Sequence, residues 1–385
     1  MRLLVVGNSY VTAFAQRKYV ELKRQCPTLE LRLLTPSAMP HVFQRYEREI
    51  APGLSADEVV DIREFFGRSH MTYVLDPLRF VRVLREFKPD RIHIEEDPHS
   101  MVGVEAVFLA RLFCPSAKIG FFIWDNLARV PRFPLNLVKR LLTRYCLNRA
   151  ELVVCGNAEA ESLLREQKGY AGRVAVVPQL GLEPEPYLTP PNRDIKEELS
   201  IPPGVPLIGF LGRLIPEKGV LVLLEAFQRL AHVDCRLLIV GSGPLEGEIA
   251  GTWQAALGER LLFRKAVPRD DVPEYMKALD LLVLPSYGAP RWKEQFGMVL
   301  PMAMLAGVPC VGSSSGAIPE VMGPGGLVFR EKDIGELVSV LERLLTDAGL
   351  RRSLAAAGRE YALRLYTHEA VAKAYLEQWG EPNCR

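Results

Sequence analysis

Short runs of consecutive apolar residues recur along the 385-residue chain, and most are followed by a stretch with helical spacing. In the first half they lie at 3–7, 31–34, 91–96, 118–123, 151–156 and 174–178, and in the second at 206–212, 236–241, 281–286, 308–313 and 326–329. Continuous rather than alternating apolar strands are typical of parallel sheets that are covered on both faces. The alternation of strand and helix therefore predicts a doubly wound α/β fold.

A proline-rich segment divides the chain nearly in half. Eight prolines lie between 178 and 206, where they remove backbone donors and restrict the residues before them. We expect a Rossmann-like domain at 1–180, a linker at 181–205, a second domain at 206–365, and a final helix at 366–385 that packs back on the first domain. Because ligands bind beyond the carboxyl ends of parallel strands, two facing sheets would hold a substrate in the cleft between the domains.

Composition narrows the classes of protein that fit. With 48 basic and 46 acidic residues the net charge is +2, which provides no overall field for binding nucleic acid. The chain contains no run of 18 apolar residues, so a membrane-spanning helix is not expected. The apolar run near the N-terminus is too short for a signal peptide. The sequence therefore predicts a cytoplasmic protein.

Two cations follow the strand at 206–212. Arg213 and Lys218 lie five residues apart in the segment GRLIPEKG, which opens an amphipathic helix. A planar arginine fork and a lysine point charge suit a diphosphate. A solvated basic loop would show the same pattern.

A carboxylate and a glycine precede the helix that follows the strand at 281–286. Gly297 permits close backbone approach, and the free amides of a helix N-terminus form an anion site. Glu294 would be repelled by a phosphate, so it is better suited to the hydroxyls of a sugar beside the phosphate.

Together these segments resemble a known family. The pattern G-R-x-x-x-x-K-G, the turn VGSGP at 240–244, LPS at 284–286, EQFGMVL from Glu294 and AGVPCVGSSSGAIPEV at 306–321 are similar to the donor domain of the family 4 retaining glycosyltransferases (glycosyl transferases group 1) of GT-B fold. The resemblance runs from about residue 206 to 330. The N-terminal half resembles the family only in its strand–helix rhythm and length.

That resemblance implies two facing Rossmann-like domains, an acceptor side in the first and a donor side in the second. It implies transfer of a sugar, with retention and without a metal or other cofactor, from a nucleotide-diphosphate co-substrate, most simply a UDP- or GDP-sugar. The acceptor would be a hydroxyl of a glycan, a lipid-linked sugar or a small molecule. Arg213 and Lys218 would neutralise the leaving diphosphate and Glu294 would bind the donor sugar. Further donor contacts are implied at Gly7, Asn8, Gly212, Arg264, Lys265, Phe296, Gly297, Met298 and Val299.

The residue types fit that chemistry. When the glycosidic bond breaks, charge collects on the diphosphate, so cations already in place stabilise the transition state more than the ground state. The chain contains no Asp-x-Asp and no histidine pair at metal-site spacing, which agrees with cations acting in place of a metal.

The sequence departs from the family at one donor position. The family has a second glutamate eight residues after the first, and Met302 stands at that position here. The family's second carboxylate holds ribose hydroxyls, which a thioether cannot do. Weaker nucleotide binding, a ribose contact supplied elsewhere and a degenerate donor site are all open.

Two clusters in the first half suit an acceptor. The run at 91–96 ends in Glu96 and Asp97, and the run at 118–123 is followed by Trp124, Asp125 and Asn126. Carboxylates, an amide and a flat aromatic ring suit a polyhydroxyl acceptor. Residues solvated at a strand end would look the same. Many relatives carry a histidine near the second cluster, where this chain has Asp125.

The segment at 127–149 is basic and partly apolar. Six basic residues and no acid lie between Asn126 and Ala150, interleaved with leucine and valine: Arg129, Arg132, Lys139, Arg140, Arg144 and Arg149. This pattern is typical of a helix that rests on an anionic lipid surface, and a helix that covers its own sheet with a basic outer face explains it equally well.

Three other functions share parts of this pattern. A nicotinamide dehydrogenase would need G-x-G-x-x-G, but Gly7 is followed by Asn8, Ser9 and Tyr10, and the turn at 241–243 lacks a properly spaced third glycine. A nucleotide-sugar epimerase shares the architecture, although the C-terminal motifs fit transferases better. A catalytically silent partner of a transferase is motivated by Met302.

Overall fold

The structure, a computed structural model, describes residues 1–36, 38–40, 45–66, 71–128 and 134–381. It divides into two compact units, Met1–Gly181 together with His368–Arg385, and Leu182–Thr367. The segment expected as a linker lies within the second unit, where it forms two one-turn helices between turns. Prolines limit each helix to a single turn, but they do not prevent the segment from packing.

The first unit is built on a parallel sheet. Its strands in the described residues are β1 (Arg2–Val6), β2 (Glu30–Pro36), β3 (Ala38–Pro40), β4 (Arg45–Glu47), β5 (Val59–Ile62), β6 (Glu64–Phe65), β7 (Val74–Leu75), β8 (Arg91–Ile94), β9 (Lys118–Ile123), β10 (Leu152–Cys155) and β11 (Arg173–Val176). Seven of the described strands form the sheet, in the order β11-β10-β9-β8-β1-β2-β5, while β3 pairs with β4 and β6 with β7 as small antiparallel ribbons. The described helices of this part are α1 (Ala13–Gln25), α2 (Pro77–Phe87), α3 (Met101–Phe113), α4 (Leu135–Leu147) and α5 (Ala158–Glu166).

Local signals set several of these helix starts. Asp76 caps α2 by accepting hydrogen bonds from the amides of Leu78 and Arg79, and Pro77 occupies the first helical position, where no donor is needed. Asn157 caps α5 by accepting from the amide of Ala160. Each cap lies directly after or near a strand end, so the chain turns back over the sheet there.

The second unit has the same architecture. Its described strands are β12 (Leu207–Leu211), β13 (Arg236–Val240), β14 (Leu261–Arg264), β15 (Leu281–Leu284), β16 (Cys310–Ser313) and β17 (Gly326–Phe329), which form a parallel sheet in the order β14-β13-β12-β15-β16-β17. Its described α-helices are α6 (Glu185–Leu188), α7 (Ile195–Glu198), α8 (Val220–Arg229), α9 (Glu246–Glu248), α10 (Gln254–Leu257), α11 (Val272–Ala278), α12 (Val299–Ala306), α13 (Ile318–Met322), α14 (Ile334–Thr346) and α15 (Ala348–Leu365).

The last helix, α16 (His368–Trp379), belongs to the first unit. Its buried face includes Val371, Tyr375 and Trp379, which join the apolar cluster formed by α1 and one face of the sheet. Short 3₁₀ segments at Asn8–Val11, Pro216–Lys218, Gly258–Arg260, Arg269–Asp271 and Gly323–Gly325, and a π-turn at Ile249–Trp253, complete the described helical structure.

The expectation of two doubly wound parallel sheets is confirmed: each of the eleven apolar runs contains a strand of one of the two large sheets. Two described strands of the large sheets fall outside these runs, β5 at the edge of the first sheet and β14 at the edge of the second. An edge strand that is only partly buried carries a shorter and less continuous apolar run, Val-Val-Asp-Ile in β5, than the central strands do.

Candidate functional site

Two loops meet at the carboxyl edge of the second sheet. Strands β12 and β15 are neighbours, and the loops that follow them carry the two motifs found in the sequence. The amide of Tyr287 donates to the carbonyl of Glu217 over 2.9 Å. Gly219 lies at φ 72°, and a Cβ there would collide with the carbonyl of Pro285. A side chain at Gly219 would therefore force the two loops apart.

This close approach brings Lys218 to Glu294. The Nζ of Lys218 donates to Oε2 of Glu294 over 2.6 Å, and the two side chains are only 15% and 9% exposed. The same carboxylate oxygen accepts a hydrogen bond of 2.9 Å from the hydroxyl of Ser286. The Lys218 ammonium also lies 5.5 Å from the centre of the Trp292 ring. The result is a largely buried ion pair at the edge of the sheet.

A third loop, after β16, fixes the backbone of Glu294. The amide of Ala317 donates to the Glu294 carbonyl over 3.1 Å. Gly316 lies at φ 56°, and a Cβ there would collide with the same carbonyl. The hydroxyl of Ser313 donates to the carbonyl of Ser286. Sequence reasoning missed these supporting residues, although Ser286 ends the LPS motif and Gly316 lies inside the motif at 306–321.

Arg213 lies on the same loop as Lys218, with an exposed side chain. Among the described residues, it forms no hydrogen bond or ion pair with Lys218 or Glu294. Its neighbour Leu214 is buried, and the Leu214 amide donates to the carbonyl of Ser242 over 3.0 Å. The structure therefore brings together two of the three residues assigned to catalysis and leaves Arg213 accessible beside them.

Other residues expected on the donor side lie at the same edge. The amide of Gly212 donates to the carbonyl of Val240 over 3.0 Å, which ties the end of β12 to β13. Phe296 is buried, with its ring 5.4 Å from that of Tyr366 in an edge-to-face contact. Gly297 lies at φ 77°, in the left-handed region. Phe296 therefore packs into the protein, and only its backbone remains a candidate for ligand contact.

Helix α12 begins immediately after this turn. The amide of Leu300 donates to the carbonyl of Gly297 over 2.9 Å, and that of Met302 to the carbonyl of Met298 over 3.3 Å. The amides of Met298 and Val299 precede the first intrahelical hydrogen bonds, so they are the ones a helix N-terminus offers to an anion. Met302, partly buried, lies one turn further along.

Arg264 ends β14 and Lys265 follows it, and both side chains are exposed. The carbonyl of Arg264 accepts from the amide of Gly241 over 3.0 Å, and its guanidinium donates to the carbonyl of Phe263 over 3.1 Å. Lys265 lies 3.9 Å from Glu246. These contacts are local to the edge of the sheet.

In the first unit, the expected residues Asn8 and Glu96 are in contact. Strands β1 and β8 are neighbours, and Gly7 follows β1 with its amide donating to the carbonyl of Leu34 over 3.2 Å. The amide of Asn8 donates to Oε1 of Glu96 over 2.9 Å, and the hydroxyl of Tyr73 donates to the same oxygen over 2.7 Å. Burial raises the pKa of Glu96 to about 8 despite these two donors. Glu96 is thus a carboxyl that keeps its proton near neutral pH.

The other residues expected on the acceptor side lie along the same edge, because β8 and β9 are adjacent. Asp97 is partly exposed, and its carbonyl accepts from the amide of Ser100. The indole of Trp124 donates to Gln179, and Asp125 accepts from the amide of Leu127 over 3.4 Å. Asn126 is buried and donates to Glu159 over 3.1 Å, so its amide serves the local structure.

Sequence reasoning missed the buried charge behind this edge. Glu95 is fully buried and accepts from the Nζ of Lys18 over 2.8 Å, from the hydroxyl of Tyr19 over 2.5 Å and from Gln179 over 2.8 Å. Burial alone would raise the pKa of Glu95, but the Lys18 ammonium holds it at about 2. His93, which lies within the apolar run at 91–96, is fully buried, and burial lowers its pKa to about 4. The signal that was available is the lysine on the apolar face of α1.

In the described parts of the chain, no group of three or more histidine, cysteine, aspartate or glutamate side chains is placed to hold a metal ion. Over the same residues, no helix is both long enough and apolar enough to cross a membrane.

Part of the chain matches a known protein family. The family "Glycosyl transferases group 1" matches residues 191–361. A 2-deoxystreptamine glucosyltransferase of Streptomyces kanamyceticus is 29% identical over 297 residues, which is 73% of this chain and 74% of that protein. A D-inositol 3-phosphate glycosyltransferase of Stackebrandtia nassauensis is 28% identical over 244 residues, 60% of this chain and 54% of that protein. The chain thus matches only about half the length of that second relative.

Solved structures share the fold over the whole chain. A glycosyltransferase of Rickettsia africae superposes with a TM-score of 0.73 at 14% identity and covers 99% of this chain and 98% of its own. The Anabaena protein HepE, solved in complex with UDP and glucose, superposes with a TM-score of 0.70 at 18% identity, with 99% of each chain covered. The chain therefore carries a domain of the group 1 glycosyltransferases over residues 191–361 and is a glycosyltransferase of GT-B fold.

Proposed function

We propose that the protein transfers a sugar, with retention of anomeric configuration and without a catalytic metal, from a nucleotide-diphosphate donor to an acceptor hydroxyl. The observation that carries this proposal is the buried contact between Lys218 and Glu294, 2.6 Å apart at the carboxyl edge of the second sheet. Retention is supported by the resemblance of the motifs at 212–219 and 294–300 to the retaining family. A UDP- or GDP-sugar is the expected co-substrate.

The arrangement of charges fits a sugar diphosphate. Glu294 already neutralises part of the Lys218 charge, so the exposed guanidinium of Arg213 provides the second cation that a diphosphate requires. The amides of Met298 and Val299 lie at the start of α12, where the helix dipole favours an anion. Glu294 is placed among hydrogen-bond donors, next to this anion site, as a carboxylate that grips sugar hydroxyls would be.

The reaction follows from these positions. The bond between the anomeric carbon and the diphosphate oxygen breaks, a bond from that carbon to the acceptor oxygen forms, and the acceptor proton leaves with the diphosphate or to solvent. Negative charge develops on the leaving diphosphate, where Lys218 and Arg213 stabilise it. Gly7, Asn8, Gly212, Arg264 and Lys265 remain proposed donor contacts.

For the acceptor we propose a polyhydroxyl ring bound by the first unit. The relatives named above act on 2-deoxystreptamine and on D-inositol 3-phosphate, which are both substituted six-membered carbon rings. Glu96, Asp97, Trp124 and Asp125 lie at the ends of two adjacent strands, so carboxyl groups and an aromatic ring share one edge. A glycan or lipid-linked sugar offers the same hydroxyl chemistry.

We further propose peripheral contact with the inner face of a membrane through residues 127–149, of which 129–133 lie outside the described residues. Helix α4 buries Thr143, Cys146 and Leu147 but leaves Leu135 70% and Leu141 58% exposed. Arg140 and Arg144 are exposed on the same helix. Exposed leucines beside arginines match a membrane surface that carries anionic lipid.

The neighbouring helix extends this surface. Helices α3 and α4 pack together, and Phe108 and Leu112 of α3 are more than half exposed. Co-sedimentation with vesicles that contain phosphatidylglycerol tests the surface, and salt-sensitive binding is expected. The double variant Leu135→Ser/Leu141→Ser should lose it, whereas Leu78→Ser, which changes an even more exposed leucine on α2, should not. Equal behaviour of wild type on neutral and anionic vesicles would contradict the contact.

The donor is tested by thermal shift across UDP, GDP, ADP and TDP and their sugars, since a ligand that binds the native state raises the unfolding midpoint. The ligand that does so is then supplied with candidate acceptors, and the anomeric configuration of the product is read by NMR. We expect stabilisation by a UDP- or GDP-sugar, activity that persists in EDTA, and a retained product. An inverted product, or turnover abolished by EDTA, would contradict the proposed mechanism.

A second candidate is a catalytically silent binding subunit, and Met302 is the observation that favours it. That position lies on α12, one turn beyond the amides of Met298 and Val299, and carries a thioether that cannot hold ribose hydroxyls. A silent subunit would be stabilised by a nucleotide sugar but would neither transfer nor hydrolyse it. Release of free sugar without an acceptor separates a working transferase from a silent one.

A further inference from the structure

A fixed hydrogen-bond relay leads from the interior of the first unit to Trp124. The indole Nε1 of Trp124 donates to Oε1 of Gln179 over 2.7 Å, and Nε2 of Gln179 donates to Oε2 of Glu95 over 2.8 Å. An indole can only donate and an ionised carboxylate can only accept, so both ends of the relay set the orientation of the Gln179 amide. Gln179 is buried, at 6% exposure.

The inner end of the relay is anchored on buried charge. Oε1 of Glu95 accepts from Lys18 over 2.8 Å and from Tyr19 over 2.5 Å, and the Lys18 and Glu95 side chains are completely buried. The Lys18 ammonium lies 4.3 Å from the centre of the Tyr375 ring on α16. Rearranging a buried ion pair with these additional partners costs free energy, because any group that loses its partner stays buried and unpaired.

Packing against neighbouring residues also holds the Trp124 ring in place. The ring of Phe122 contacts it edge to face, with 5.1 Å between centres. A Cβ at Gly156 would collide with the six-membered part of the indole. Gly156 does not adopt a left-handed conformation, so the glycine there provides space for the ring rather than backbone freedom. Trp124 nevertheless remains partly exposed.

The position of this ring suggests its use. Trp124 follows β9, which lies between β8 and β10, so Glu96 and Asp97, in the segment that follows β8, lie on one side of it. Asp125 follows it directly and is partly exposed. A flat apolar surface flanked by carboxyl groups matches a ring that has C–H bonds on its face and hydroxyls at its edge.

We infer that Trp124 is a stacking platform for the ring of the acceptor, and that Gln179 is a positioning residue that holds the indole in place from the buried Lys18–Glu95 pair. The inference rests on the proposed function, and it narrows the acceptor to a substituted six-membered ring that presents an apolar face. Gly156 contributes to the same arrangement, because a side chain there would displace the Trp124 ring.

The test is steady-state kinetics with UDP-glucose or GDP-mannose as donor and 2-deoxystreptamine or inositol 3-phosphate as acceptor, whichever pair wild type turns over. Trp124→Leu should raise the acceptor KM about 10-fold, while the donor KM and the release of free sugar without acceptor stay unchanged. Trp124→Phe, which keeps an aromatic face, should restore most of the acceptor affinity. Gln179→Met should raise the acceptor KM with little change in kcat.

Gly156→Ala provides an independent arm, because it acts on the indole by displacement alone. It should raise the acceptor KM, whereas Gly251→Ala, where an added Cβ meets nothing within 4 Å, should behave as wild type. Circular dichroism and the unfolding midpoint establish that each variant is folded.

The outcomes separate the inference from the function on which it rests. If folded Trp124→Leu has an acceptor KM within twofold of wild type, the stacking role of Trp124 is wrong, but the proposed transferase activity is unaffected. Wild type that releases sugar from the donor but glycosylates neither ring also overturns the stacking role. Wild type that neither releases nor transfers sugar contradicts the proposed function, and the platform falls with it.

Discussion

The Nζ of Lys218 lies 2.6 Å from Oε2 of Glu294, although 76 positions of sequence separate the two residues. The contact depends on Gly219, since any Cβ there would collide with the carbonyl of Pro285 and push the two loops apart. It also depends on Ser286 and on the loop at Gly316, which fix the carboxylate and the backbone of Glu294. The pair is thus a property of three loops at once.

Removing the Lys218 cation should suppress catalysis more than folding. We expect Lys218→Met to lower kcat by about 100-fold or more, because the leaving diphosphate loses a fixed positive charge. The matched control is Lys277→Met, which breaks another ion pair of the second unit, 2.8 Å from Glu274 and similarly buried. Both variants should lose stability, since each leaves a carboxylate without its cation. Equal kcat values for the two variants would contradict the assignment of Lys218.

The variant Arg213→Ala tests whether the exposed guanidinium of Arg213 contributes to nucleotide binding. If it meets the diphosphate, Arg213→Ala should weaken UDP or GDP binding by about 10- to 100-fold in calorimetry, with little change in the unfolding midpoint. Arg229→Ala removes an exposed arginine from the end of α8 and serves as the control. A dissociation constant for Arg213→Ala that matches the control would leave Arg213 as a solvated surface residue.

Replacing Met302 by glutamate should increase the affinity for nucleotide. A carboxylate restored there should hold ribose hydroxyls, and we expect Met302→Glu to tighten nucleotide binding by about 10- to 150-fold, the range of one charged hydrogen bond. Met302→Gln separates the charge from the shape of the side chain. Calorimetry that gives the same affinity for wild type and Met302→Glu would exclude the simple loss of a ribose contact and favour a contact supplied by another residue.

Glu96 predicts an unusual dependence of stability on pH. Burial raises its pKa to about 8, whereas an unfolded glutamate has a pKa of about 4.3. The stabilising contribution of Glu96 is complete below the unfolded pKa, falls as the pH rises from there to 8, and is absent above the folded pKa. Between the two pKa values the folded state holds a proton that the unfolded state has released. The free energy of unfolding should fall over this window by on the order of 1 kcal/mol per pH unit.

The comparison with Glu96→Gln isolates this contribution. Glutamine keeps an oxygen for the amide of Asn8 and the hydroxyl of Tyr73 but does not ionise, so its stability should fall less steeply between pH 5 and 8. Burial also raises the pKa of Glu105, to about 7, so Glu105→Gln should change the slope below pH 7 and not between 7 and 8. Parallel curves for wild type and Glu96→Gln in denaturant titrations would show that Glu96 titrates normally.

The candidate site was partly predictable because its chemistry lies in compact motifs. Arg213 and Lys218 fall within one loop, and Glu294, Gly297 and the start of α12 fall within another, so residue types and short spacings were enough to predict a donor role for them. The same reasoning did not separate Phe296 from ligand-facing residues. Whether its ring faces a ligand or packs on Tyr366 depends on a residue 70 positions away.

The sequence by itself determined the two parallel sheets, because buried parallel strands need continuous apolar runs, and those runs can be read in order along the chain. It also indicated the family of the domain at 191–361, since the donor motifs are local. The tertiary structure alone decided that Lys218 is paired with Glu294, that the proline-rich segment belongs to the second unit, and that Gln179 links Trp124 to the buried charge of Glu95. These relationships join residues that are distant in sequence. They depend on the order of the strands in each sheet and on which side chains are buried against one another.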